Sequence, residues 1–504
     1  MNVGMRNVRV TKRPLVLVAV MLAMFMAAVE ATIVATAVPR IVADLGGFSL
    51  FSWLFSSYLL MQVVMIPVYG KLSDLYGRKL IFSIGIGIFL IGSLLCGLST
   101  TMELLIISRF IQGIGAGAVQ PIATTIVGDM YTKEERAKIQ GYLASVWGVS
   151  AIVGPILGAF FIEYLHWSWI FWINIPFGIL SVLGVVCYLQ ESVEKRKRDI
   201  DYKGAFLLLI CISSFMVVMI QGGVAWGWVS TPVLVLSLVS LMTFCLFIVN
   251  EKSVKDPIMT LSLWQQKGLR YANIASFTSG AILLAISSFL PTYVQGVMNE
   301  SPLIAGLTLT AISIGWPISS TIAGKLMLRI GFRVTAIIGG FALVAGATGY
   351  LLLVVIQNPL WAALSSFLIG VGMGFATTTF VVSIQSTVSW NVRGEATALN
   401  MFMRSLGGAV GVAFLGGLLN SRLQKDLAEH ADVLSFEPTL DVINTLLESE
   451  QSYVLANEEL TILQAALSNG LSVVFIGLLV LALLSFYFIF RLPKDAPIQK
   501  TEDV

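Results

Sequence analysis

Charge is what this chain has least of. Only 12% of its 504 residues are Asp, Glu, Lys or Arg, against roughly 25% in a soluble domain. Hydrophobic residues make up 57%, and the mean hydropathy is +0.88. So much apolar surface cannot be hidden from water, which excludes an ordinary soluble globule and makes lipid the solvent. Histidine is scarcer still: His166 and His430 are the only two, both in expected loops. The four cysteines (Cys96, Cys187, Cys211, Cys245) form no CxxC pair and none is near a histidine. They read as buried free thiols, and no metal site is expected. No nucleophile–base arrangement for covalent catalysis is visible, so an enzyme is not expected. A net charge of +3 gives no reason to expect a nucleic-acid partner. No cleavable signal peptide is evident either: the apolar stretch from Leu15 is long enough to span, and no small-residue cleavage site follows it.

What is present is a series of long apolar stretches. Fourteen can be read, at 15–38, 52–69, 80–98, 103–127, 138–162, 168–190, 204–221, 231–249, 271–294, 302–323, 334–356, 360–384, 395–419 and 467–490. Each has about the ~20 residues that a bilayer core demands, and each must be a helix, since a lone helix satisfies its own backbone in lipid. With the N-terminus in the cytoplasm and loops on alternating sides, 26 of the 31 Lys and Arg fall on the cytoplasmic side. Three fall outside (Arg40, Arg422, Lys425) and two inside helices (Arg109, Arg404). That bias follows the positive-inside rule and puts both termini in the cytoplasm. One outer loop, about 420–466, holds nine acidic residues against two basic ones, with Leu and Val between them that suit short amphipathic helices. Trp167, Trp169, Trp172, Trp226 and Trp228 fall near outer ends and read as an interfacial belt.

The chain also repeats itself. GKLSDLYGRK at 70–79 returns, decayed, as GKLMLRIGFR at 324–333, with Gly70, Lys71, Leu72 and Gly77 recurring 254 positions later. Each copy bridges two apolar segments, so the chain is two related halves. The reading is an N-terminal six-helix bundle at 1–190 and a C-terminal six-helix bundle at 251–504, the latter carrying the acidic loop. Between them, 191–250 is a basic linker (Lys195, Arg196, Lys197, Arg198) with an inserted helix pair.

Glu30 is the main lead. The other 27 acidic residues fall in loops or near helix ends. Glu30 lies nine residues before Pro39, which puts it about 13 Å below an outer end there. An ionisable group at such depth usually faces a cavity or a partner. Alternating between an apolar setting and the vicinity of a cation would let a carboxyl take up and release a proton. Arg109, six residues into its span and about 9 Å deep, is the expected partner. Arg404 is nearer the cytoplasmic end of its span, and snorkelling there is its expected fate. In GKLSDLYGRK, Gly70 and Gly77 allow tight turns and close approach, Asp74 can cap a helix or pair between the halves, and Arg78 and Lys79 anchor the cytoplasmic side. An Arg78–Asp129 pair is within reach and would latch one state. In GPILGA, Pro155 would bend its helix, and Gly154 and Gly158 would admit a close neighbour.

These stretches resemble a known family. GKLSDLYGRK matches the loop signature of the major facilitator superfamily, G-x-L-[SA]-D-x-x-G-R-[RK], and RFIQGIGAG at 109–117 resembles its fourth-helix signature at Arg109, Gln112, Gly113 and Gly115. The segment ending in GPILGA is similar to the fifth-helix signature of proton-coupled exporters. EATIVATAVP at 30–39 and HWSWIFWINIPFG at 166–178 resemble the fourteen-helix drug:proton antiporter branch. Departures are Glu30 where Asp is commoner, Ala35 for Asn, and Ser150 and Ala159 for glycines; acids that some relatives carry in later spans for divalent cations are absent. The resemblance implies an all-α polytopic protein of major facilitator fold, two pseudo-symmetric bundles plus two inserted helices, in the plasma (bacterial inner) membrane. It implies a monomer, among membrane lipids, that exports small lipophilic compounds, cations foremost, in exchange for protons, driven by the proton gradient without a cofactor. Residues expected to line the apolar drug pocket are Gln62, Trp147, Phe277, Trp316, Gln385 and Met401, with ionised Glu30 attracting the cargo. Alternatives are an exporter of one metabolite, bile salt or tetracycline-like compound, a proton symporter, and a non-transporting sensor.

Overall fold

The computed structural model describes residues 11–46, 50–191, 201–222, 226–254, 257, 259–260, 262–430 and 457–494. The Lys195–Arg198 cluster and residues 431–456 of the acidic segment lie outside them. The described residues are helical throughout, without a strand. In order they form α1 (Arg13–Leu45), α2 (Phe51–Tyr76), α3 (Arg78–Gly97), α4 (Met102–Met130), α5 (Lys133–Tyr164), α6 (Trp169–Trp172), α7 (Asn174–Tyr188), α8 (Tyr202–Gln221) and α9 (Thr231–Ser253). Then follow α10 (Ser262–Gln265), α11 (Lys267–Gly296), α12 (Pro302–Ile330), α13 (Phe332–Ile356), α14 (Pro359–Thr387), α15 (Arg393–Glu429) and α16 (Asn457–Phe490). With α6 and α7 forming one span and α10 too short to cross, 14 helices are long and apolar enough for a bilayer. The protein is therefore a multi-pass membrane protein, and several polar residues at its helix ends serve as caps. Thr101 starts α4, Thr132 and Glu135 form a capping box on α5, Asp201 starts α8, and Ser301 starts α12.

The sequence repeat is a repeat in space. Gly77 ends α2 and starts α3 at φ 94°, ψ 149°; Gly331 does the same between α12 and α13 at φ 85°, ψ 166°. That region of backbone space is essentially glycine's alone and costs other residues about 1–3 kcal/mol. Gly77→Ala and Gly331→Ala should each lower unfolding stability by that amount, followed by tryptophan fluorescence in detergent. Gly87→Ala, in α3 with open space where the methyl would go, should not.

One apolar core joins α1, α4, α5 and α7 with α2 and α3; another joins α11 to α16. The inserted pair α8 and α9 packs outside, where Leu208, Ile212, Met216 and Phe247 meet Leu60, Val63 and Ile66 of α2 and Ala398, Leu399, Met401 and Phe402 of α15. Several expectations need correction. α1 runs on past Pro39 to Leu45. α15 runs to Glu429, because Leu419, Leu423 and Leu427 bury themselves against Leu463, Leu467 and Leu471 of α16; the acidic segment thus starts as helix. Trp167 is no interfacial residue: it is 2% exposed and donates to Asp44 Oδ2 at 3.0 Å, while Trp169 and Trp228 are exposed. Cys96 and Cys211 are buried, but Cys187 and Cys245 sit on exposed faces, since a helix in lipid carries apolar thiols outward as readily as inward. α5 passes through position 155 unbroken, and the side chain of Pro155 is outside the described part of the structure. Gly154 is buried against Thr32 of α1, and Gly158 is buried too.

Candidate functional site

Two polar constructions stand out in this apolar body. The first is a buried charge centre inside one bundle. Glu30 is 0% exposed and lies near the middle of α1, fifteen residues before Leu45, about 22 Å from that end; the extra turns beyond Pro39 account for the depth. One carboxylate oxygen accepts from Arg109 Nη1 and the other from Asn174 Nδ2 of α7 at 2.6 Å. Arg109, on α4, also donates Nε to the Leu54 carbonyl at 3.0 Å and Nη1 to Gln112 Oε1 at 2.6 Å. Its guanidinium lies 4.3 Å from the centre of the Tyr58 ring, a cation–π contact. Gln112 Nε2 in turn donates to Ser93 Oγ of α3 at 2.8 Å, and Asn174 Nδ2 lies 3.4 Å from the same oxygen. Close packing lets the helices meet here: Gly92 of α3 lies against the Gln112 backbone, and Gly113 of α4 against the Tyr58 carbonyl. A buried ion pair recovers its desolvation only when its remaining hydrogen-bonding capacity is met, and these partners supply that.

Sequence reasoning paired Glu30 with Arg109, and the structure brings them together. It missed Asn174, Ser93 and Tyr58 as partners. Asn174 was visible as the polar break in WIFWINIPFG, but nothing in one dimension shows that α7 aims it at α1. The Glu30 carboxylate has no exposed surface, so in this state it contacts no cargo.

The second construction ties the bundles together at the face where α1 begins and α16 ends, here called the basic face. Asp74 accepts from the backbone N–H groups of Gly394 (3.0 Å) and Glu395 (2.7 Å), the positive end of α15. Arg78, 1% exposed, pairs with Asp74, donates to Asp129 Oδ2 at 2.9 Å and to the Ser73 and Trp390 carbonyls, and stacks 4.1 Å from the Trp390 ring centre. Asp129 also takes Arg393 at 2.6 Å, and Lys71 pairs with Glu395 at 3.5 Å. Gly70 lies so close to Ala398 that a Cβ would collide. Lys79 does not cross between bundles: it donates to the Val186 and Leu189 carbonyls at the end of α7. The second copy of the motif has Leu328 and Phe332 where the first has Asp74 and Arg78, so the seal is one-sided.

The expected pocket residues divide. Trp147 is 38% exposed, on the side of α5 opposite the exposed Tyr142, Val149 and Ile156. Gln62, Phe277 and Trp316 are half-buried. Gln385 is not a lining residue: it is 0% exposed and donates to the Thr124 carbonyl (3.1 Å) and Thr397 Oγ1 (3.3 Å), joining the seal. Met401, 4% exposed, is packed in the apolar cluster with α2 and α8.

Two related bundles of spanning helices, with an ion pair sunk in one of them and a polar seal between them, make a secondary transporter. Residues 20–412 match the family model described as Major Facilitator Superfamily, and the chain belongs to that family. It is 32% identical to the multidrug transporter protein MdtP of Bacillus subtilis, over 98% of this chain and 95% of that one. It is 37% identical to multidrug resistance protein 3 of the same organism, over 80% and 78%. Among solved structures, the human organic anion transporter MFSD10 (TETRAN) superposes with a TM-score of 0.64 at 16% identity, covering 95% of this chain and 99% of that one. The proton:xylose symporter XylE follows at 0.62 and 12%, covering 95% of each. At such identities the likeness concerns the fold alone.

Proposed function

We propose that this transporter is a proton-coupled antiporter that exports lipophilic drugs, cations among them, by alternating access. The observation that carries the reading is Glu30: an acid fully buried at mid-membrane, held by a permanent cation and an amide from separate helices. The multidrug relatives support the direction and the cargo class. In this reading the protein sits in the bacterial inner membrane as a monomer with both termini cytoplasmic, and 1–190 and 251–504 are the bundles that rock, with 191–250 inserted between them. The basic face is then cytoplasmic, and its seal makes this the state closed to the cytoplasm. Glu30 takes a proton from the outer side. Neutralised, it releases Arg109, the helices around it relax, and the halves rock. Proton loss to the cytoplasm restores the pair as cargo binds. Glu30 therefore acts through Arg109 and the helices, with cargo held elsewhere between the bundles.

Inside-out vesicles test this directly. Acidifying their lumen should drive uptake of ethidium at least about tenfold above equilibrium per unit of pH used, and a protonophore should abolish it. Uptake at full strength after the protonophore, with nucleotide absent, would refute proton coupling.

A further inference from the structure

Arg404 does not do what its place in the sequence suggests. α15 begins at Arg393, so Arg404 lies about 16 Å along the axis from the basic face, farther than an arginine side chain extends, and it does not snorkel there. The other faces of α15 are occupied at this level. Phe402, Met403, Leu406 and Ala409 pack into the cluster with α2 and α8. Gly407 and Gly411 lie against the backbone of Phe277 and Ala281 in α11, and the Arg404 carbonyl itself abuts Gly280. One ridge remains at this level, Thr397–Met401–Arg404, spaced i, i+4, i+7, and it ends where Gly408 meets Leu284 of α11. At Thr397 that ridge meets Gln385, which reaches across to Thr124 of the other bundle. At Met401 it meets α2 of that bundle. Arg404 is the next residue on the ridge, two turns above the seal and half-buried, on the side of α15 between its contact with α11 and its contact with α2.

Its charge is unanswered. Among the described residues none pairs with or accepts from Arg404. Glu30 is committed to Arg109. Glu395 is nine residues back at the seal, about 13 Å along the axis, and is held by Lys71 and Thr260. A lone guanidinium at this depth is expensive in a bilayer, and it is the planar donor best suited to a carboxylate or sulfonate.

We propose that Arg404 is an anion-docking residue between the bundles, which takes the carboxylate or sulfonate of an amphipathic cargo whose apolar body lies toward Trp147 and Trp316. The word cargo rests on the efflux reading above; the docking site does not. Acidic and zwitterionic amphiphiles then belong among the compounds this protein carries.

The test is equilibrium binding to the purified full chain in nanodiscs, independent of transport. The probes are dansyl-undecanoic acid and its methyl ester, read by dansyl fluorescence. The acid should bind at least roughly tenfold more tightly than the ester, the size of one charge-assisted hydrogen bond. Arg404→Gln should erase the difference while leaving ester affinity within about twofold, which also reports an intact fold, and Arg404→Lys should restore part of it. Equal binding of acid and ester by the native chain would overturn the proposal, as would a preference that survives Arg404→Gln. So would loss of the preference on adding sodium chloride at fixed ionic strength, since the guanidinium would then hold a solvent anion. Failure of proton-driven uptake in vesicles with this preference intact would sink the efflux reading alone.

Discussion

Glu30→Gln should lose uphill efflux altogether while downhill exchange survives. The amide is nearly the size of the carboxyl: its oxygen can still accept from Arg109, and its NH2 can donate to Asn174 once that side-chain amide turns its oxygen inward, while Gln112, Ser93 and the Leu54 carbonyl stay in place. It cannot take up or release a proton. A unit of pH and 100 mV together make about 3.7 kcal/mol available per proton moved inward, enough to hold a neutral cargo at up to about a five-hundredfold gradient. The variant should hold none. Efflux of a fluorescent cation from energised cells should therefore fall to that of cells lacking the protein. Counterflow between equal cargo pools in proteoliposomes should remain within about threefold of native. Glu30→Asp should keep part of the uphill activity, since the proton site survives with a shorter reach. Native accumulation by Glu30→Gln would take Glu30 out of the coupling mechanism. Arg109→Ala is the harsher change, because it leaves a buried carboxylate without its cation at a cost of about 3–5 kcal/mol.

The second large effect belongs to the seal. Asp74→Asn removes the charge that faces both Arg78 and the first turn of α15. Breaking one member of a buried pair costs about 3–5 kcal/mol. The Arg78 pair lies within one bundle, but the contacts to Gly394 and Glu395 exist only while the bundles touch at the basic face, so their loss falls on the sealed state alone. At about 1.5–3 kcal/mol for a hydrogen bond to a charged group, the balance between sealed and open states should move by roughly tenfold or more. A cysteine at position 397, buried in the seal, reports it: membrane-impermeant maleimide added to inside-out vesicles should label Thr397→Cys at least roughly tenfold faster in the Asp74→Asn background. Drug efflux should fall with it, because a transporter held in one state does not cycle. Unchanged labelling together with native efflux would show that Asp74 holds nothing that moves.

Much of this was legible in the chain. The span count and the repeat follow from hydropathy and glycine spacing; Gly77 and Gly331 recur because both junctions need the same backbone geometry. Glu30 and Arg109 were legible because charge is so rare in these stretches that each exception must answer to another. Glu30 lies deeper than Pro39 suggests, because α1 continues to Leu45. Gln385 and Met401 were misassigned to the drug pocket, and Trp167 to the membrane interface. In water a helix shows which side is inside by its apolar stripe. In lipid both sides are apolar, so periodicity is silent about facing.

The sequence by itself therefore determined the solvent, the number of crossings, the two-fold ancestry of the halves and the scarcity of intramembrane charge, all properties read residue by residue. Tertiary structure alone decided which faces meet: that Asn174 and Ser93 complete the cradle of Glu30, that Asp74 reaches the first turn of α15, and that Arg404 has no partner among the described residues. The reason is physical. A bilayer fixes how far each helix extends along its axis but not its rotation about that axis, which is set by close packing between helices and by the few polar groups that must find one another out of water.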